Sequence, residues 1–229
     1  MPVLPDLPAA EAAIVEMTNA FRAEHRLSPV RQNPQLAAAA RAYARKLTGY
    51  EGLSHTADGT TPAQRIRGAG YRYCQVGENL ASILDTRGFT ADEYAKRAVE
   101  GWENSPGHRK NMLLPFVTET GVAVVRAAPH EPKYIAVQLF ARPEATKYSF
   151  KVRNEAPTAI AYQFNGEANT VSPREIITHT ACIPGMIVFD TSPKSNAGAR
   201  YETRGGQVFS LKATAAGVTV EIGDTKPGN

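Results

Sequence analysis

Apolar residues between Ala9 and Arg26 recur at helical spacing. Ile14, Val15, Met17 and Phe21 line one stripe while Glu16, Arg22 and Glu24 supply the wet face, so the pattern predicts a helix over 9–26. The three prolines in residues 1–8 predict an extended arm before it. His25, at the helix end, reads as a solvated histidine that suits the C-terminal dipole. Asn33-Pro34 is a helix start, with Asn as N-cap and Pro at the first helical position, and opens an alanine-rich helix to about Leu47 that packs close to a neighbour. Glu51 to Thr61 is a polar loop with an Asp58-Gly59 turn. Thr61-Pro62 starts a short helix to about Arg67, stopped by Gly68 and Gly70. Tyr71 to Leu84 is mixed, with Tyr71, Tyr73, Cys74 and Val76 leading up to Glu78. Ala91 to Asn104 is helical again, and Ser105-Pro106-Gly107 breaks that helix, so that His108 is placed at once by a rigid turn. The β-branched stretches Gly121–Arg126 and Tyr134–Phe140 predict buried strands. Helices followed by strands make the first half an α/β layered domain.

The texture changes at Arg142-Pro143-Glu144. Beyond it the pattern is short strands and turns: Tyr148–Arg153, Ala159–Phe164, Glu175–Thr180, Met186–Phe189, Ala199–Thr203, Val208–Lys212 and Val218–Ile222. Asn165-Gly166, Pro184-Gly185 and Gly205-Gly206 separate them. The reading is therefore two domains, an α/β domain over 9–142 and a small all-β, sandwich-like domain over 147–223, with a frayed tail over 224–229.

Charge and composition narrow the function classes. The formal net charge of +4 is spread over 229 residues, and the longest basic cluster is Arg109-Lys110, so there is no stripe for a phosphate backbone and no nucleic acid is expected. No apolar run approaches the ~20 residues of a membrane helix. Met1-Pro2-Val3-Leu4-Pro5 lacks the basic start and apolar core of a signal peptide. This leaves a cytosolic protein or a mature form with an added Met. The two cysteines, Cys74 and Cys182, fall in different halves. They read either as two buried thiols or as one bridge clamping the halves together, which requires an oxidising compartment.

The candidate chemistry lies in three segments. Ser54-His55-Thr56 sits in the polar loop, Glu78 interrupts a mainly apolar run, and His108 follows the Pro-Gly break. Two imidazoles and a carboxylate suit Zn²⁺ or another divalent cation with an open position, or an acid/base pair. A hydrogen-bonded structural network without turnover fits the same residues, because a buried carboxylate needs a partner and fixes an imidazole's tautomer. No nucleophile is evident; Ser105 precedes a proline and lacks a glycine elbow. Trp102 reads as core beneath the site, Asn79 and Asn111 as loop ties, and His130 and His179 as histidines outside it.

With these residues in view, the first half resembles the CAP superfamily, also called the SCP domain. The resemblance rests on Asn33-Pro34-x-Leu36-Ala37-Ala38-Ala39-Ala40, Ser54-His55, Gly77-Glu78-Asn79-Leu80-Ala81, and Trp102-x-Asn104-Ser105-Pro106-Gly107-His108-Arg109-x-Asn111-Met112-Leu113. It implies a three-layer α-β-α sandwich with a cleft lined by two histidines and up to two acids, into which His55, Glu78 and His108 carry over. The second acid of eukaryotic members falls at Ser105, so this chain has a triad, as bacterial members do, and a mechanism needing two carboxylates loses support. The resemblance implies an extracytoplasmic, secreted or periplasmic protein, a non-enzyme binding a lipid, sterol or cell-envelope ligand. Two alternatives stand beside it, an interaction module whose β-domain recognises a protein partner and a metal-dependent hydrolase.

Overall fold

The computed structural model describes residues 2–128, 131–190 and 198–225. The chain divides into two units, 1–145 and 146–229.

In the first unit, α1 (Leu7–Glu24), α2 (Pro34–Leu47), α3 (Pro62–Gly68), α4 (Ala91–Glu103) and α5 (Pro106–Met112) accompany one sheet. Its strands are β1 (Arg31–Gln32), β2 (Tyr73–Leu84), β3 (Glu119–Arg126) and β4 (Lys133–Pro143), in the order β1-β3-β4-β2. β4 runs antiparallel to β2 and β3, and β1 pairs with β3 in parallel. Side chains of β3 and β4 divide by strict alternation. Val122, Val124, Tyr134, Ala136 and Phe140 join the core of α1, α4 and α5. Ala123, Val125, Ile135, Val137, Leu139 and Ala141 join that of α2 and α3. Both faces are covered, which is why these strands read as continuous apolar runs. Gly121 allows a close approach: a Cβ there would lie 2.2 Å from the Leu36 backbone, so the start of α2 rests directly on β3.

The helix signals act locally as their chemistry requires. Asn33 Oδ1 accepts from the amides of Gln35 and Leu36, and Thr61 with Gln64 and Thr90 with Glu93 form reciprocal capping boxes. Two expectations need correction. Tyr71–Leu84 is not mixed but contributes the long strand β2, because Glu78 and Asn79 find polar partners inside the fold. Ser105-Pro106-Gly107 ends one helix but also opens another: Pro106 takes the first position of α5, so His108 lies on a helix and not in a turn.

The second unit carries two four-stranded sheets. One holds β6 (Ile160–Phe164), β7 (Glu167–Val171), β9 (Met186–Phe189) and β10 (Ala199–Glu202), in the order β10-β9-β6-β7. The other holds β5 (Tyr148–Asn154), β8 (Ile176–Ala181), β11 (Gln207–Thr214) and β12 (Gly217–Asp224), in the order β12-β11-β5-β8. Phe150, Val152, Ile160, Tyr162, Phe189, Phe209 and Leu211 fill their common core. Asn165 and Gly166 both have positive φ (50° and 83°) and close the β6–β7 hairpin, as a two-residue primed turn requires. The strand β7 is additional to those expected from the pattern, since Glu167-Ala-Asn-Thr is polar and largely exposed. The expected tail begins within β12, and its residues 226–229 lie outside the described residues, as does His130.

Candidate functional site

Strand alternation sends Glu78 and Asn79 of β2 to opposite faces. Gly77 just before them is closely packed; a Cβ there would stand 3.0 Å from both Asn111 Oδ1 and Leu114 Cδ1. The Glu78 side chain is only 2% exposed, yet both of its oxygens are engaged. Oε1 lies 2.7 Å from His55 Nδ1, and Oε2 accepts from Arg65 Nη2 at 2.6 Å. His55 itself is half exposed, so the carboxylate orients the ring from below while the rest of the imidazole faces outward.

Arg65 is the residue the sequence reading passed over. It lies in α3, its side chain 8% exposed, and its guanidinium carbon sits 3.3 Å from the centre of the Tyr43 ring. Its Nη1 donates to the carbonyls of Thr60 (2.6 Å) and His55 (3.1 Å), and Asp58 lies 3.7 Å away. Tyr43 ties the same loop from beneath: its hydroxyl donates to the Ser54 carbonyl and accepts from the Ala57 amide. Lys46 and Thr60 hold the Asp58 carboxyl well below the usual carboxylate range. The polar loop is thus fixed at several points, and His55 is placed by a lattice of bonds, not by a regular element.

α5 brings the third segment. Asn79 Nδ2 donates to the carbonyl of His108 at 3.2 Å, and Asn111 Nδ2 lies 2.9 Å from both the Glu78 carbonyl and Asn79 Oδ1. Burial, and secondarily the neighbouring His55 imidazole, hold the His108 pKa below the ordinary histidine value. Trp102 is buried and donates from Nε1 to the Leu80 carbonyl at 3.0 Å, fastening α4 to β2. Ser105 is the N-cap of α5 but makes no side-chain capping bond. His25 is exposed at the C-cap of α1, as expected, and is also bonded: Nδ1 faces the Phe21 carbonyl at 2.8 Å and Nε2 accepts from Arg109 at 2.8 Å. His179, in the second unit, stacks on Phe150, and its Nε2 is hydrogen-bonded with the Tyr162 hydroxyl at 2.7 Å.

The sequence pattern of the CAP, or cysteine-rich secretory protein, family matches residues 15–140, more than half of the chain. This chain belongs to that family. The uncharacterised protein YkwD of Bacillus subtilis is 32% identical to it over 120 residues, which are 52% of this chain and 44% of YkwD. The chain therefore matches less than half the length of that relative. An outer surface protein of Borrelia burgdorferi shares the fold at a TM-score of 0.51 and 24% identity, covering 59% of this chain and 93% of that one. An SCP-domain extracellular protein of Bacillus anthracis overlays at a TM-score of 0.49 and 25% identity, covering 59% and 41%.

The CAP unit's fit to a divalent cation can be judged from its donors. A three-ligand site needs an oxygen of Glu78 alongside the two imidazoles. One oxygen is held by His55 and the other by a guanidinium, a cation that repels a second cation at the same atom. Among the described residues, no group of three or more His, Cys, Asp or Glu side chains is arranged to hold a metal ion. The residues as placed do not fit the metal. Cys74 and Cys182 are both disulfide-bonded, and no free cysteine remains.

Proposed function

We propose that this CAP protein is an extracytoplasmic, non-enzymatic binding protein. His55 and His108 on its three-layer α-β-α unit face a lipid-like or cell-envelope ligand. The observation that carries this reading is the engagement of Glu78: with Oε1 on His55, Oε2 on Arg65 and a side chain only 2% exposed, the carboxylate is paired and shielded from water it would have to activate. By the family resemblance, the position of a second acid falls at Ser105. The disulfide supports an extracytoplasmic home, since such bonds persist in oxidising compartments. The ligand class follows from the family resemblance.

Native mass spectrometry of protein isolated from its own host tests the reading. A co-purified organic ligand that rebinds the emptied protein, with His108→Ala changing that affinity by only a few-fold, is the expected result. Turnover of peptide or envelope substrates, lost in both His55→Ala and His108→Ala, would overturn it. One observation favours that hydrolytic reading: an imidazole whose Nδ1 is held by a carboxylate presents its other nitrogen as a base.

A further inference from the structure

We infer that Arg65 is the built-in counter-cation of Glu78 and thereby makes the site selective against divalent metal. The inference concerns the same residues as the proposed binding function but does not depend on it, because metal affinity is measurable whatever the natural ligand is.

A carboxylate 2% exposed must be neutralised or paired, since stranding its charge is among the costliest defects a fold can carry. Two solutions exist for a carboxylate next to imidazoles, a metal ion or a basic side chain. This chain uses the second. The guanidinium reaches Glu78 Oε2 at 2.6 Å and is not free to swing away: Tyr43 lies against its face, and two backbone carbonyls hold its other nitrogen. The planar guanidinium fork suits a carboxylate oxygen and the flanking carbonyls together. The charges around the site also close locally, with Arg65 and Lys46 facing Glu78 and Asp58. A divalent ion entering between His55, His108 and Glu78 would have to displace a buried ion pair and then sit beside the displaced guanidinium. Arg65 touches no reacting group in this account; it is a positioning residue acting through Glu78, and it decides which charge occupies that carboxylate.

The test is zinc binding by calorimetry with ZnCl₂ as the only probe, on the full-length, disulfide-bonded protein and four variants. Wild type should bind zinc weakly, and Glu78→Gln should change that affinity by no more than about threefold, because Glu78 is not a ligand. Arg65→Gln should bind zinc about 10- to 100-fold more tightly than wild type, the size of effect exerted by groups that contact metal ligands. Arg65→Gln combined with Glu78→Gln should lose that gain. Arg65→Lys, which keeps the positive charge, should remain as weak as wild type. Stoichiometric zinc on wild type that is lost in Glu78→Gln would overturn the inference. So would a folded Arg65→Gln no tighter than wild type, or a gain that persists without Glu78. Should circular dichroism show Arg65→Gln to be unfolded, wild type, Glu78→Gln and Arg65→Lys decide: uniformly weak binding supports the inference, and tight wild-type binding through Glu78 refutes it.

Discussion

The side-chain amide of Asn79 donates to the backbone carbonyl of His108 at 3.2 Å, and this bond joins strand β2 to helix α5 across 29 residues of chain. Asn111 extends the junction to the Glu78 carbonyl and to Asn79 Oδ1. The two halves of the site are thus stitched by amides that pair with each other and with the backbone. Asn111→Ala removes two of these bonds and strands buried acceptors, so unfolding free energy from urea titration should fall by about 1–3 kcal/mol. A loss below ~0.5 kcal/mol would mean that α5 is held by packing alone.

Arg22 makes a second such fastening, at the end of α5 and the chain that follows it. It is fully buried on α1, and burial lowers its pKa. Its guanidinium donates to the carbonyls of Ser28 (2.9 Å), Met112 (2.7 Å), Leu114 (2.9 Å) and Val117 (3.4 Å). Four carbonyls in a fork suit guanidinium geometry and not an ammonium. Arg22→Met should therefore destabilise the protein by about 3–5 kcal/mol, and Arg22→Lys by more than half as much, in the same urea titrations. Rescue by lysine to within ~0.5 kcal/mol would show that charge and not shape matters there.

The site has a pH signature with a definite sign. Burial holds the pKa of His108 below its ordinary value, and the same cause acts on His179. For each, the unfolded chain binds the proton more readily than the fold does. Stability is then complete above the unfolded histidine value of about 6.5 and declines as pH falls from there toward the lower folded pKa. The stability of His108→Gln should fall less than that of wild type between about pH 7 and pH 5. Parallel curves for the two proteins would remove His108 from this account.

Cysteine chemistry gives a direct check on the covalent structure. Both cysteines are bonded, so thiol titration of the unfolded, unreduced protein should find none. Reduction should lower stability by about 2–5 kcal/mol. Two titratable thiols would contradict the bond and withdraw its support for an extracytoplasmic location.

Most of the scaffold was legible in the chain because its signals are local. Asn33-Pro34 starts α2 where the sequence says it must, and Met186–Phe189 is a strand with the expected ends. His55 Nδ1 lies against Glu78 Oε1, and Asn79 and Asn111, read as loop ties, bond strand β2 to helix α5 instead. What escaped notice depends on tertiary partners. Arg65 looks like the wet face of a short helix until Tyr43 and Glu78 close around it, and Arg22 looks like the wet face of α1 until Met112–Val117 does the same. One signal was available: an acid set in an apolar run requires a cation, and the helix just before β2 ends in Arg65 and Arg67. The strand β7 was hidden by its polar sequence, which only the Asn-Gly turn before it gives away.

The central claim is that Glu78 is shared between His55 and Arg65, and heteronuclear NMR of the His55 ring measures it most directly. The account predicts a proton on Nδ1, in a strong hydrogen bond whose resonance shifts markedly in Glu78→Gln and moves again in Arg65→Lys. A His55 ring protonated only on Nε2, with signals indifferent to both substitutions, would contradict it.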